Sequence, residues 1–492
     1  MSLLIKNVQI VDGVGGEPYK ADVFCQKNLI SAIGSFKGMD ADETIDGLGN
    51  YLTPGFIDVD TSSDQYLSII TNPGQSDFIK QGVTTIIGGH CGSSLAPLLY
   101  GTLESIRKWT DVSQINVNWH TVDEFLKVLA DLRLGVNFGT LVGHATIRRS
   151  INGGSIAPLT SGEMKVFVKI LRKAMEEGAF GMSTGLGYAH GRQVPYAEID
   201  QLVSVVREYD GIYSTHLRSE TSGLISAVEE TIRIAEKTEV KAIISHFRPL
   251  LGFETQFDEA MSRIAKADLN NLKFYVYPFD TSLNPIYTLL PLWAQEKDFE
   301  TMLGKLRNPD TAVRIEVDLH DFPFDRITVA EAPKNDYFVG KSIAEIADMF
   351  ETTPVKALMK TMDATSLHAT VFNKNINFGE LTNLLSDKRA LIASNSASRG
   401  ASGKFLTSER SYNTFPKYLE LVLAGKMATL PQAIKKITSE PANYFGISDR
   451  GEIKEGKVAD LAILGREDYK VTSVIVGGKT AAAGQVLKHT YS

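Results

Sequence analysis

The chain has 492 residues, which is too long for one compact all-β or helical domain. Its composition, with 43% hydrophobic and 22% charged residues, is typical of a folded protein. The 51 Lys and Arg against 58 Asp and Glu give a net charge of −7, which disfavours non-specific binding to nucleic acid or anionic membranes. The two cysteines, Cys25 and Cys91, lie far apart in sequence, so we expect no disulfide framework. The sequence has no apolar segment of signal-peptide or membrane-spanning length, and we therefore expect a cytoplasmic protein.

Both ends of the chain contain short runs in which apolar and polar residues alternate, separated by turns rich in Gly and Asn. These runs cover residues 3–10, 22–25 and 29–33 near the N-terminus, and 459–464 and 471–476 near the C-terminus. The pattern is typical of β-strands. We predict that residues 1–53 and 447–492 pair into one small β-sandwich domain.

The middle of the chain alternates strand-like apolar runs with helical patterns. The strand-like runs are 84–87, 139–142, 179–183, 212–216, 242–246, 273–277 and 390–393, and helical patterns include 164–177, 223–237, 254–268 and 416–424. Repeated β then α in this order predicts an α/β fold, a (β/α)8 TIM-type barrel over residues 54–446. Residues 298–350 break the alternation and are predicted to be an insertion near the barrel mouth.

Three residues that bind metals well follow the ends of predicted barrel strands. They are Cys91, His216 and His246. The carboxyl ends of barrel strands meet at one face, so these side chains form a plausible three-ligand site that leaves a fourth zinc position for water. The alternative is that each is a hydrogen-bonded residue of the core or of the site's surroundings.

Four motifs together resemble one enzyme family. They are Thr-Pro-Gly-Phe-Ile-Asp at 53–58, Gly-Ala-Phe-Gly-Met-Ser-Thr-Gly-Leu at 178–186, Tyr-Asn-Thr-Phe-Pro at 412–416 and Gly-Lys-Val-Ala-Asp-Leu at 456–461. The sequence resembles the amidohydrolase superfamily, and within it the D-aminoacylase (N-acyl-D-amino acid deacylase) branch. The resemblance runs from about residue 3 to about residue 480 and is weakest between 298 and 390. It implies a metal-dependent hydrolase that acts on non-peptide C–N bonds, with one zinc ion held by Cys91, His216 and His246.

Two departures from the family pattern affect the expected chemistry. The first barrel strand of the family normally ends in His-X-His, and here those positions are Asp60 and Ser62. The last strand normally ends in an Asp that transfers protons, and here that position is Asn395. An amide has no titratable proton near neutral pH, and losing a general base typically lowers the rate by about 10²–10⁴-fold. Asp60 is a candidate replacement as zinc ligand or base, while Asp64 and His90 are further candidates or ordinary loop and hydrogen-bonding residues.

The resemblance also implies a substrate-binding side of the site. Arg248 and Arg410 match positions that hold the substrate carboxylate, and Tyr188 matches a tyrosine of the pocket. Guanidinium groups suit carboxylates because they bind them through two hydrogen bonds. His144 falls in another family motif that lines the barrel mouth. The alternatives are structural salt bridges for the two arginines and a packing role for His144.

Three functional hypotheses follow. The first is an amidohydrolase that hydrolyses the amide bond of an N-acyl amino acid or a related small carboxylate, using one zinc ion. The second is a catalytically degenerate homologue that binds a ligand or a partner protein, for example an active relative in a mixed oligomer. The third is an enzyme of altered, non-hydrolytic chemistry. The expected partner is a small molecule rather than nucleic acid or membrane, and both homo- and hetero-oligomers stay open.

Overall fold

The computed structural model describes residues 2–100, 103–296, 298–400, 403–480 and 484–490, and its centre is a closed barrel of eight parallel strands. The strands are β1 (Phe56–Asp58), β2 (Val83–Gly88), β3 (Asn137–Thr140, continued by Val142–Gly143), β4 (Gly181–Gly185), β5 (Ile212–His216), β6 (Lys241–Ile244), β7 (Leu272–Val276) and β8 (Ala390–Ile392). Each strand pairs in parallel with the next. A parallel bridge between Thr61 and Ser396 joins the segments that directly follow the first and the last strand. The predicted (β/α)8 fold is therefore confirmed.

Helices cover the outside of the barrel, so its strands are buried on both faces. All six residues of β2 are buried, for example. The covering helices and those that follow β8 are Ser68–Thr71, Ser76–Ile79, Val122–Ala130, His144–Asn152, Ser161–Glu176, Tyr196–Glu208, Leu224–Thr238, Glu254–Ala267, Phe378–Ser386, Arg410–Leu423, Leu430–Ile437 and Ser439–Phe445. Continuous apolar runs at the strands and one apolar stripe on each helix produce this arrangement.

Strands from both ends of the chain form one seven-stranded sheet. Its members are Ser2–Ile10, Tyr19–Gln26, Leu29–Gly34, Glu43–Asp46, Tyr51–Pro54, Leu461–Leu464 and Val471–Ile475. Antiparallel pairing of Tyr51–Pro54 with Leu461–Leu464 joins the two ends. The exact bounds 1–53, 54–446 and 447–492 stay a prediction, and part of the last segment, 481–483 and 491–492, lies outside the described residues.

The segment between β7 and β8 forms a separate layer with its own apolar core. It contains a three-stranded antiparallel sheet of Ser282–Pro285, Ile327–Glu331 and Thr370–Asn373, and the helices Phe299–Arg307, Pro309–Asp318, Ile343–Met349 and Pro354–Ala364. The layer is thus wider than the 298–350 expected, because both outer strands pair with the central strand Thr370–Asn373 across sequence separations that periodicity does not reveal. Its core includes Cys91 and Tyr188, so it packs against the barrel mouth.

Single 3-10 turns complete the described structure. They are Glu104–Ile106, Val112–Gln114, Ile286–Leu289, Leu292–Ala294, Phe324–Arg326 and Asp336–Phe338. None of the helices in the described ranges has the length and apolar character that crossing a bilayer requires.

Candidate metal centre and substrate pocket

The structure brings Cys91, His216 and His246 together at the carboxyl ends of β2, β5 and β6. The Sγ of Cys91 lies 3.6 Å from Nε2 of His246, and that nitrogen lies 3.1 Å from Nδ1 of His216. All three ligand atoms lie within 4.8 Å of one another. In the part of the chain that the structure describes, this is the single group of three or more His, Cys, Asp or Glu side chains with such spacing.

Two glycines place Cys91 in this cluster. Gly89 and Gly92 have φ angles of +80° and +77°, in the left-handed region that glycine adopts most easily. A Cβ at Gly89 would lie 2.1 Å from the carbonyl oxygen of Leu141, and one at Gly92 would lie 2.7 Å from the nitrogen of Gly185. The loop after β2 therefore turns sharply and packs against the third and fourth strands.

The donor set of the cluster fits a zinc ion. One sulfur and two imidazole nitrogens leave a fourth tetrahedral position open. Burial, assisted by the neighbouring His246, lowers the pKa of His216 to about 3, so its imidazole is neutral and able to bind a cation. Burial and the carboxylate of Asp60 raise the pKa of the Cys91 thiol, and a bound cation would offset both effects by stabilising the thiolate.

Glu220, which the sequence reasoning missed, links the metal cluster to Arg248. Its Oε1 lies 2.9 Å from Nδ1 of His246, and its Oε2 accepts from Nη2 of Arg248 at 3.0 Å. Burial alone would raise the pKa of Glu220, but Arg248 and His246 hold it well below its usual value. The ionised carboxylate keeps the proton of His246 on Nδ1, which leaves Nε2 free for a metal. An acid four residues after His216 was the available signal.

Asp60 lies beside the metal cluster but is not one of the clustered ligands. The carboxylate is fully buried, and its Oδ2 accepts from the Tyr275 hydroxyl and lies 3.0 Å from Nδ1 of His90. Its Oδ1 has no hydrogen-bond partner. The backbone N–H of Asn395 donates to the carbonyl oxygen of Asp60 at 2.9 Å. Asp60 thus adjoins the position at which the family normally has its proton-transferring Asp.

Two arginines surround Tyr277 on one side of the cluster. Arg248 donates to the Tyr277 hydroxyl at 2.6 Å and forms the ion pair with Glu220. The guanidinium of Arg410 lies 4.3 Å from the centre of the Tyr277 ring. Arg410 is only 3% exposed, its Nη1 has no hydrogen-bond partner, and no described carboxylate forms an ion pair with it. A buried cation without a counter-ion is a candidate binding group for an anion.

The remaining two predicted site residues differ in their surroundings. The ring of Tyr188 is buried, and its centre lies 4.7 Å from that of His216. His144 instead lies 2.9 Å from Oε1 of Glu198 through Nε2, and its ring stacks on Phe167 at 5.3 Å. These contacts of His144 are those of a packed, hydrogen-bonded residue.

Comparison with known proteins finds similarity to amidohydrolases. A family model described as amidohydrolase family matches residues 400–486. The N-acyl-D-glutamate deacylase of Alcaligenes xylosoxydans xylosoxydans is 26% identical over 471 residues, which cover 94% of this chain and 87% of that protein. Over most of its length the chain is thus similar to enzymes of the D-aminoacylase branch of the amidohydrolase superfamily.

Solved structures of this branch show the same fold. The N-acyl-D-glutamate deacylase of Bordetella bronchiseptica, complexed with zinc and a phosphonate inhibitor, matches with a TM-score of 0.81 at 22% identity. A D-aminoacylase structure that addresses the binuclear metal centre, one-metal activation and second-metal attenuation matches with a TM-score of 0.78 at 22% identity. Each alignment covers 99% of both chains. The fold of these two enzymes therefore matches nearly the full length of this chain.

Proposed function

We propose that this amidohydrolase is a deacylase with a single zinc ion, and that it hydrolyses the amide bond of N-acyl-D-amino acids. The observation that carries the proposal is the convergence of the ligand atoms of Cys91, His216 and His246 within 4.8 Å. Relatives named for N-acyl-D-amino acid deacylation support the substrate class. One-metal activation, addressed for a D-aminoacylase, supports a single ion.

When bound, a zinc ion supplies Lewis-acid polarisation of an amide carbonyl and acidification of a water molecule. Ser62 adds no strong ligand where the family has a second histidine, which supports one ion rather than two. Glu220 holds the imidazole of His246 in the tautomer and orientation that metal binding needs. The protein residues around the ion then determine which substrate binds and where protons move.

Arg410 binds the α-carboxylate of the substrate in this proposal. Its guanidinium is buried, has a free Nη1 and has no carboxylate partner in the described chain. Arg248 already forms hydrogen bonds with Glu220 and Tyr277. It therefore contributes positive charge to the pocket and orients these two side chains. Charge-assisted hydrogen bonds to the substrate carboxylate fix the position of the amide relative to the metal ligands.

Asp60 accepts the proton from the attacking water and returns it to the leaving amine. The hydroxyl of Tyr275 and the ring of His90 occupy Oδ2, which leaves the unpartnered Oδ1 to hold the proton. The backbone N–H of Asn395 donates to the carbonyl oxygen of Asp60. The carboxylate of Asp60 therefore lies next to the position where the family has its proton-transferring Asp and this chain has Asn395. Asn395 contributes only hydrogen bonds, since its amide cannot titrate.

The experiment combines metal analysis with turnover. Protein purified without chelator should contain about one zinc per chain, and Cys91→Ala should lose it, while Cys25→Ala should keep it because Cys25 is buried in the terminal sheet. The zinc-loaded protein should hydrolyse members of a panel of N-acyl-D-amino acids and leave the L-isomers unchanged. Absence of zinc from the unmodified protein, or of any turnover, would contradict the proposal.

A second candidate function is a binding protein that hydrolyses nothing, and the replacement of a titratable residue by Asn395 favours it. The triple variant Asn395→Asp, Asp60→His and Ser62→His separates the two. If wild type binds N-acyl-D-amino acids without turnover and the triple variant hydrolyses them, the chain is a degenerate member whose pocket is intact. Turnover by wild type that the triple variant does not increase supports the deacylase.

A further inference from the structure

Lys108 is a buried cation near the metal cluster, and none of its contacts in the described chain is shared with Arg410. Its side chain is 7% exposed, and Nζ donates to Oγ of Ser93 at 3.1 Å and to the carbonyl oxygen of Ser105 at 2.7 Å. It forms no ion pair with a carboxylate among the residues that the structure describes. Both hydrogen-bond partners are neutral, so the positive charge is uncompensated. Burying a charge in this way is unfavourable unless an anion joins it.

Tyr188 connects Lys108 to the metal cluster. The ammonium lies 4.5 Å from the centre of the Tyr188 ring, and that centre lies 4.7 Å from the His216 ring. Lys108 interacts electrostatically with Cys91 and His216, so its charge reaches the reacting region. Burial, assisted by the nearby Arg149, lowers the pKa of Lys108 to about 7, and an anion bound beside it would favour the charged form.

His190 adds a second polar group to this side of the cluster. Its ring stacks on Tyr188 with the ring centres 6.0 Å apart and the planes 11° from parallel. Its Nε2 is buried without a hydrogen-bond partner. An ammonium without a counter-ion and an imidazole nitrogen without a partner, both against Tyr188, are the groups that a ligand carrying oxygen acceptors would satisfy.

The position of this group relative to Arg410 identifies the part of the substrate that reaches it. Arg410 contacts Tyr277 and interacts with Tyr66 and Asp60, whereas Lys108 contacts Tyr188. From Lys108, contacts lead through Tyr188 to His216 and His246. From His246 they continue through Glu220, Arg248 and Tyr277 to Arg410, so the metal ligands stand between the two cations in this series of contacts. A substrate whose α-carboxylate is at Arg410 and whose amide is at the metal cluster therefore extends its acyl group past Tyr188 toward Lys108.

We propose that Lys108 binds a terminal carboxylate on the acyl group. The substrates are then N-acyl-D-amino acids whose acyl group derives from a dicarboxylic acid, such as a succinyl group. This inference rests on the proposed deacylase function and deepens it. It assigns the two buried cations to the two ends of one dianionic substrate. It also explains why Lys108 is buried without a carboxylate of the protein beside it.

The test uses the zinc-loaded full chain and three substrates that differ in the acyl group. N-succinyl-D-leucine carries the terminal carboxylate, N-succinamoyl-D-leucine replaces it by an amide of the same size, and N-acetyl-D-leucine lacks it. Wild type should prefer the succinyl over the succinamoyl substrate in kcat/KM by about 10- to 100-fold, as expected for a hydrogen bond between charged groups. Lys108→Met should reduce this preference to about onefold.

Lys127→Met is the matched control. Lys127 lies on an outer helix, its side chain is 73% exposed and it pairs with Asp123, so this variant should keep the preference of wild type. A preference that Lys108→Met retains would overturn the inference. The inference would also be overturned if wild type showed no preference for the succinyl over the succinamoyl substrate. This outcome does not depend on whether Lys108→Met folds. Turnover of N-acetyl-D-leucine with no preference for succinyl would overturn the inference and leave the proposed function, whereas no turnover of any substrate would overturn both.

Discussion

Replacing Glu220 by Gln tests whether this residue prepares His246 to bind a metal. The carboxylate accepts from His246 and Arg248 at 2.9 and 3.0 Å, and both partners present donors to it. A glutamine of the same size offers one acceptor and one donor group. Either Arg248 then loses its partner, or His246 changes tautomer and carries its proton on Nε2, the nitrogen that faces Cys91 and His216.

The expected consequence of Glu220→Gln is weaker zinc binding. Loss of a partner that orients a ligating histidine typically lowers metal affinity by about 10- to 100-fold, which corresponds to about 1.4–2.7 kcal/mol. If Arg248 instead stays charged and unpaired, the loss appears as lower stability of the apo protein, and breaking a buried pair costs about 3–5 kcal/mol. The zinc dissociation constant, from competition with a chelating dye, and urea unfolding of the apo protein measure the two effects.

A matched control is Glu229→Gln, because Glu229 is an exposed helical residue whose 3.4 Å ion pair with Arg263 lies on the surface. An exposed pair contributes about 0–1 kcal/mol, and this variant should bind zinc as wild type does. The reasoning would be refuted if Glu220→Gln had the zinc affinity and the urea midpoint of the control. It would be supported by a change in either quantity that the control lacks.

Three further outcomes are expected. Asp60→Asn should lower kcat by about 10²–10⁴-fold with the zinc content unchanged, because only the proton acceptor is removed; stopped turnover with lost zinc would instead indicate a ligand role. Arg410→Gln should raise KM for N-acyl-D-amino acids by about 10- to 100-fold through the lost charged hydrogen bond, and an unchanged KM would place the carboxylate elsewhere. Asp460→Asn breaks a buried 2.7 Å ion pair with Arg450 and should lower the free energy of unfolding by about 3–5 kcal/mol in urea. A decrease below about 1 kcal/mol would show that this ion pair is dispensable.

The sequence by itself determined the barrel and the three candidate metal ligands. Alternating apolar runs and helical patterns specify parallel strands, and all parallel strands of a barrel present their carboxyl ends at one face. Polar residues just after such strands must therefore meet, even though Cys91 and His246 are 155 residues apart. The resemblance to the family, rather than any pattern within the chain, implied that Asn395 replaces a titratable group.

Only the tertiary structure decided which other side chains take part. Lys108 lies in an unremarkable sequence context, and the signal for Glu220 was its spacing of four residues from His216. Their contacts depend on the direction in which each side chain points and on which neighbours compensate its charge. The same holds for the insertion, whose sheet pairs strands as far apart as Ser282–Pro285 and Thr370–Asn373. Local patterns record which residues are buried, whereas charge compensation and long-range pairing arise only when distant segments come into contact.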